Sequence, residues 1–549
     1  MSIPRESPFH QPARPTRPTR PTSPRALVSV KRALVYTHRW LGIAGSILFI
    51  AWFISGVVMM YARMPRLTPE DRLMRLQPLD LSGARLDPGE IVKRQPKPAS
   101  RVRVAMLNGR VVYRLHDGAR WTTVFADTGE PLAAVDRSMA LAQAAAFAPG
   151  HAGTMEYDER IAQPDQWTLQ VRPLLPAHRI ALGDAQRTVL YVSEQTAEPV
   201  LATTRAGRVW GYVGAVFHWI YFTPIRRNRA VWTQLIIWTS IVGSFLCLTG
   251  LVWGLWRFSS SSRYRLRGVP HSHTPYAGLM RWHHYIGLVF GLFTFTWIFS
   301  GLLSMNPWDW SPDTSATREQ RETMSGGPSS FDSVTLSSLR AAAGALGASM
   351  TVKEIELLQF RGEVVAEAYR APDPTRPPHP PLDDPGAVYA ARVALDHGLV
   401  SLAHPDRGVF TAFDTGDVES AARDAMRGVG VSDLEWLSAY DAYYYDRDAA
   451  LPLPVLRVRF ADPIGTWLYI DPGRGAILRR EERLTRVNRW LYHGLHSLDF
   501  PWLYNRRPLW DAVVILLSAG GLAVSVTSAP AAWRRLLRHG RHALARKGH

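Results

Sequence analysis

Four charge-free apolar runs alternate with long polar stretches along this 549-residue chain. Residues 40–62, 230–256, 282–308 and 512–533 contain no Asp, Glu, Lys or Arg. About 20 such residues, at roughly 1.5 Å rise each, cross a hydrocarbon core. The pattern predicts transmembrane helices over 33–62, 229–257, 279–305 and 507–530. The stretches between them, 63–207 and 306–485, read as two α+β domains. In the first, 101–132 alternates apolar and polar residues around turns at Asn108-Gly109 and Asp127–Gly129, 138–148 is a helix former, and 167–171 and 188–192 are strands. The second repeats the theme with a helix over 338–346 and strands over 455–460 and 466–478, interrupted by a Pro-rich loop at 371–386.

The apolar runs are not independent of one another. The segment from His38 to Gly56 lies over that from His283 to Gly301 at a constant offset of 245, with Gly42/Gly287, Trp52/Trp297 and Ser55/Ser300 coinciding. A second alignment, offset by 278, superposes Arg208/Arg486, His218/His496 and Trp232/Trp510, and already holds at Leu190-Tyr191 and Leu468-Tyr469. The fold class predicted is therefore an α-helical membrane protein of four transmembrane helices arising by internal duplication, with two α+β domains outside the membrane. Segments 208–228 and 486–506 precede the second and fourth spans. The latter carries Asn488, Arg489, His493, His496 and Asp499, too costly for lipid, so both are expected as interfacial helices. That places His218 and His496 near one face, while His38 and His283 begin their helices near the other.

Charge supplies an orientation. Residues 1–32, 257–281 and 531–549 carry net +6, +5 and +6, nearly all of the formal +18. An even number of spans separates them, and the positive-inside tendency makes their common face cytoplasmic. The pI of about 10.2 is then a topology signal, and nucleic-acid binding loses its support. Both termini are expected in the cytoplasm of a bacterial inner membrane, with 63–207 and 306–485 in the periplasm. The Pro/Arg/Thr composition near the start makes 1–32 a disordered basic tail, 258–278 a cytoplasmic loop, and 531–549 a second basic tail. The lone cysteine, Cys247, excludes structural disulfides and cysteine-ligated iron–sulfur clusters.

A histidine in or beside a span is costly unless paired or ligated. Neutral imidazole is an axial ligand for haem iron, and a bis-histidine site needs only two imidazoles facing each other. If the halves pack about an axis along the membrane normal, His38 meets His283 and His218 meets His496. Two b-type haems would then be stacked across the membrane. His284 and His493 are secondary candidates, as alternative ligands or for propionates or the metal substrate. Arg227 and Arg507 are placed to pair with propionate carboxylates or with lipid phosphate. Trp436, Tyr440, Tyr443, Tyr444 and Tyr445 read as core packing before a chelate platform.

The HRWLG…WFISG and HHYIG…WIFSG spans, the paired H…RRxxxW entries and the stretch 440–477 resemble the PepSY-associated transmembrane proteins, over about 33–533. That family includes inner-membrane ferric-siderophore reductases. The resemblance implies b-type haem, PepSY-like periplasmic domains, and reduction of Fe(III) in an imported siderophore so that Fe(II) is released. Of the family's functional residues only the matching histidines, His38, His218, His283 and His496, carry over as ligands. A chelator that prefers Fe(III) loosens on gaining one electron. With no GxGxxG before a helix, the electron is expected from a quinol, a separate flavoprotein or a small reductant. Two other classes fit parts of the pattern: a haem-free PepSY-type regulator of envelope proteolysis, and a siderophore or metal transporter. The transporter is disfavoured by only four spans without broken helix pairs.

Overall fold

The computed structural model describes residues 25–266, 269–372, 396–446 and 451–547. Most of the N-terminal tail and of the Pro-rich run at 371–386 lies outside the described residues. Four helices, α1 (Arg25–Met59), α2 (Arg229–Arg257), α3 (Leu279–Leu303) and α4 (Leu509–Lys547), are long and apolar enough to cross a membrane. Around the bundle α1 and α3 each pack against both α2 and α4, so α1 and α3 stand diagonally opposed. Ile47, Trp238, Phe245, Val289 and Leu516 point outward and are exposed, which suits a lipid-facing surface and not an aqueous one. The chain is a membrane protein with β-sheet-rich regions outside the bundle.

Helix ends differ from the sequence reading at both basic tails. Residues 25–32, expected as disordered tail, already belong to α1, because no Pro or Gly follows Pro24 until Gly42. Past Pro530 the basic segment 531–547 continues as the end of α4. The loop between α2 and α3 folds as a short hairpin, Tyr264–Leu266 with Val269–Ser272.

Outside the bundle the strands are β1 (Arg101–Leu107), β2 (Arg110–His116), β3 (Trp121–Phe125), β4 (Glu156–Ile161), β5 (Ala177–Ala181), β6 (Val189–Ser193) and β7 (Pro199–Thr203) in the first stretch. The loop hairpin supplies β8 and β9. The second stretch has β10 (Glu354–Phe360), β11 (Glu363–Tyr369), β12 (His397–Ser401), β13 (Val431–Leu437), β14 (Val455–Phe460), β15 (Trp467–Asp471) and β16 (Ala476–Glu481). The Asn108-Gly109 turn joins β1 to β2 with both residues at positive φ, the conformation a two-residue hairpin demands. The helix expected over 138–148 is Arg137–Phe147, capped by Asp136. Residues 167–171, expected as a strand, instead form turns: the Asp165 carboxylate accepts from the Trp167 and Thr168 amides and the Thr168 hydroxyl, and this local turn overrides β propensity.

The two stretches do not keep separate cores. A single antiparallel sheet runs β12-β11-β10-β1-β2-β3, with four-stranded sheets β4–β7 and β13–β16 beside it. Val102, Val104 and Tyr113 from the first stretch and Leu339, Ile355, Ala366 and Val400 from the second are fully buried in one cluster. Charge selects this pairing: Arg103 sits opposite Glu356 across β1 and β10, and Arg101 Nε reaches Glu356 Oε1 at 2.7 Å. Arg72 binds Glu354 and, at 3.2 Å, Glu198, while the fully buried Arg114 lies 3.0 Å from Glu198.

Candidate functional site: two facing histidine pairs

Each pair begins with how its helices are held. His38 on α1 and His283 on α3 point into the bundle centre with ring centroids 6.3 Å apart and planes at 43°. His38 Nδ1 lies 3.1 Å from the Leu246 carbonyl on α2, and His283 Nδ1 lies 2.9 Å from the Val524 carbonyl on α4. The two contacts recur at the two sequence offsets: the histidines differ by 245 and the carbonyls by 278. A Cβ at Gly250 would stand 2.5 Å from His38 Cε1, so that position must be glycine for the ring to occupy this rotamer.

The other pair is carried by broken helices. Before His218 the chain makes a helix over Arg205–Gly211 and a π-helical turn over Tyr212–Val216; before His496 it makes Arg483–Asn488 and a π turn over Arg489–Gly494. The single interfacial helices expected over 208–228 and 486–506 are thus interrupted. The extra residue per turn rotates the histidine that comes after it, a device frequent at functional sites. Two residues after each histidine the backbone turns left-handed, at Ile220 and Leu498, both with φ 53°. His218 and His496 come to 6.1 Å between centroids, at 65°. His218 Nδ1 lies 3.2 Å from Ser55 Oγ; His496 Nδ1 lies 3.1 Å from Ser300 Oγ and 3.1 Å from the Trp297 carbonyl. Their rings rest on Gly56 and Gly301, where a Cβ would meet Cε1 at 3.4 and 3.6 Å.

In all four histidines Nδ1 is tied to an oxygen, and Nε2 has no hydrogen-bond partner among the described residues. Such a bond fixes the tautomer with Nε2 as the lone-pair nitrogen, the arrangement metal-ligating histidines use. Desolvation holds the His218 imidazole at about 4, with His496 pushing the same way, and lowers His496 as well. Both rings are therefore neutral and able to ligate. Gly56 follows His38 by 18 residues and Gly301 follows His283 by 18, so the pairs are separated by about 27 Å along the helices, close to the thickness of a hydrocarbon core.

No protein-family model and no curated protein matches the chain.

The His38/His283 pair opens into a cavity of about 390 Å³, walled by Gly42, Gly250, Gly287 and Gly291 and by apolar side chains of all four helices. That volume falls in the range of cofactor pockets. Two imidazoles bound to one metal through Nε2 at about 2 Å hold their centroids roughly 6 Å apart. Both pairs have that spacing. Among the described residues no group of three or more His, Cys, Asp and Glu side chains is placed to hold a bare metal ion. A porphyrin would itself supply four nitrogen ligands to its iron, so that two histidines would suffice from the protein.

The secondary candidates fall elsewhere. His284 is buried and uses both ring nitrogens, on Thr274 Oγ1 at 2.7 Å and the Gly254 carbonyl at 2.8 Å, leaving none for a metal. His493 packs on Tyr492, centroids 4.5 Å apart. Arg227 donates to the Pro164 carbonyl at 2.8 Å, and Arg507 to Asp511 at 3.1 Å. The tyrosine run joins the β13–β16 sheet to the His496 segment: Tyr444 is fully buried and stacks on Tyr469, and Tyr445 donates to Asp499 at 2.8 Å. Sequence reasoning missed Gly250, which the offset of 278 maps onto Ser528 and so leaves without a matching glycine. It also missed the carbonyl acceptors, which carry no side-chain signal. Ser55 and Ser300 are visible in the sequence as coincident positions.

Proposed function

We propose that the chain carries electrons across a membrane through two b-type haems and delivers them to a ferric siderophore, releasing Fe(II). The observation that carries this reading is the pair of facing imidazoles at each end of the bundle, Nδ1 anchored and Nε2 open, at the spacing one iron would set. Bound there, haem supplies a one-electron iron couple. His38 and His283 would hold the inner group and His218 and His496 the outer one. The recurrence of each anchoring contact at the offsets 245 and 278 favours an internal duplication, and the two sheet-rich stretches agree with PepSY-like domains. The +17 charge carried by 1–32, 257–281 and 531–549 favours a cytoplasmic location for the His38/His283 end and the periplasm for the sheets, in a bacterial inner membrane. The electron donor would be a quinol, a flavoprotein or a small reductant, and one electron converts chelated Fe(III) to weakly held Fe(II).

Right-side-out vesicles containing reduced protein should be reoxidised by an impermeant ferric hydroxamate added outside, and inside-out vesicles should not. Reoxidation only in inside-out vesicles would reverse the orientation; reoxidation in neither would remove the siderophore from the proposal. A glycine variant probes the inner site alone. Gly250→Ala should displace His38 and weaken or abolish the inner haem signal while the outer one persists, at an overpacking cost of about 1–3 kcal/mol. An unchanged spectrum in that variant would argue that His38 is not a ligand in the rotamer described.

A further inference from the structure

The inner cavity has a charged mouth that the helix bundle does not neutralise. Arg39, next to His38 on α1, and Arg535 on α4 both line it. Each is half-buried, and they are close enough to repel one another. Neither has a carboxylate partner among the described residues; Arg39 only lies over the Tyr36 ring, 5.4 Å from its centroid. Nor could a nearby acid serve: residues 25–62, 229–306 and 512–549 contain no Asp or Glu. Two guanidinium groups facing one apolar cavity are unfavourable together unless an anion sits between them. Guanidinium is suited to that task, since its fork matches a carboxylate or phosphate in bidentate fashion.

From this we infer that Arg39 and Arg535 would hold the propionate carboxylates of the inner haem at the mouth of the cavity they line. The inference rests on the two-haem reading above. Arg227 and Arg507 lie at the opposite end, beside the His218 and His496 segments, where their guanidinium groups are engaged with the Pro164 carbonyl and Asp511. The shared chemistry, a buried oxyanion, could also come from a lipid phosphate entering the open side of the cavity, and the experiment separates the two sources. Cations at the propionates stabilise the more electron-rich, reduced form. Removing them should make the inner midpoint potential more negative and leave the outer one unchanged.

The test is a spectroelectrochemical titration of Arg39→Gln, Arg535→Gln and the double variant in the full chain, beside Arg39→Lys/Arg535→Lys and Arg281→Gln. Arg281 lies on α3 outside the cavity lining and controls for bulk basic charge. In the double glutamine variant one haem of the two should shift so that its reduced-to-oxidised ratio falls roughly tenfold at fixed ambient potential, about 59 mV for one electron. The lysine pair and Arg281→Gln should stay close to the parent. Incorporation of haem dimethyl ester, which removes the propionates' negative charge and leaves the arginine cations in place, should move the same potential the opposite way, to more positive values, in the parent protein. Unchanged potentials, with co-purifying anionic phospholipid lost from the double variant, would assign the clamp to lipid and overturn the inference while leaving the two haems in place. A parent protein without haem would overturn the functional reading itself.

Discussion

His38→Ala and His283→Ala should each remove one and the same haem, taking the chain from two to one, and His218→Ala and His496→Ala should each remove the other. The members of each pair face one another across the bundle at 6.3 and 6.1 Å between centroids, on different elements, so on the proposed reading either single variant would remove one of the two histidines that hold a given haem. About 27 Å of helix separates the pairs, too far for one porphyrin to join them. Low-temperature α-bands or electron paramagnetic resonance of the four variants would read the assignment. If His38→Ala and His218→Ala delete a common signal, each half binds its own haem and the pairing is wrong. The outer variants carry a further expectation: they should keep a reducible inner haem yet fail to reoxidise with a ferric siderophore.

Glu198→Gln should destabilise the sheet-rich part by about 3–5 kcal/mol, the cost of leaving a buried cation without its anion. Arg114 is 1% exposed, and Glu198 is the carboxylate beside it at 3.0 Å, while the same carboxylate reaches Arg72 at 3.2 Å. Arg72 in turn binds Glu354 on β10, so the network ties the first sheet-rich stretch to the second. Burial alone would push the Glu354 carboxyl up; Arg72 and Arg103 outweigh it and hold it well below the usual carboxylate range. A carboxylate depressed in the folded state contributes stability above its unfolded value, about 4.3, and that contribution is lost as the pH falls below it towards the folded value. Denaturant unfolding followed by tryptophan fluorescence should therefore show the parent losing stability below about pH 4.3. Glu354→Gln should show a weaker acid dependence. A Glu198→Gln protein as stable as the parent would mean that Arg114 finds another anion or water.

Period and identity account for the parts of the fold that are legible in the sequence. Charge-free runs of more than 20 residues locate all four membrane helices, because a soluble fold rarely tolerates such runs. The β1–β2 hairpin is readable from its Asn108-Gly109 dipeptide, and β15 and β16 from the alternation in 466–478. The joining of the two sheet-rich stretches through β1 and β10 is not legible, because strand partners 249 to 255 residues apart leave no local pattern. Arg101 and Arg103 beside Glu354 and Glu356 are a charge signal only once the pairing is known. At the site, four histidines in two aligned pairs stand out in the sequence. The engagement of His284 with Thr274 and Gly254 does not, since a buried hydrogen-bonded histidine and a ligand look alike there. The π turns at 212–216 and 489–494 are equally hidden, having no residue signature, and they are what rotates His218 and His496 inward.

The most direct test of the central claim is a haem count on the purified full-length protein: a reduced-minus-oxidised visible spectrum with a pyridine-haemochrome assay against protein concentration. Two b-type haems per chain, with sharp α-bands on reduction from bis-histidine ligation, is the predicted result. A protein that purifies folded with no haem, and takes none up when haem is supplied, would contradict it.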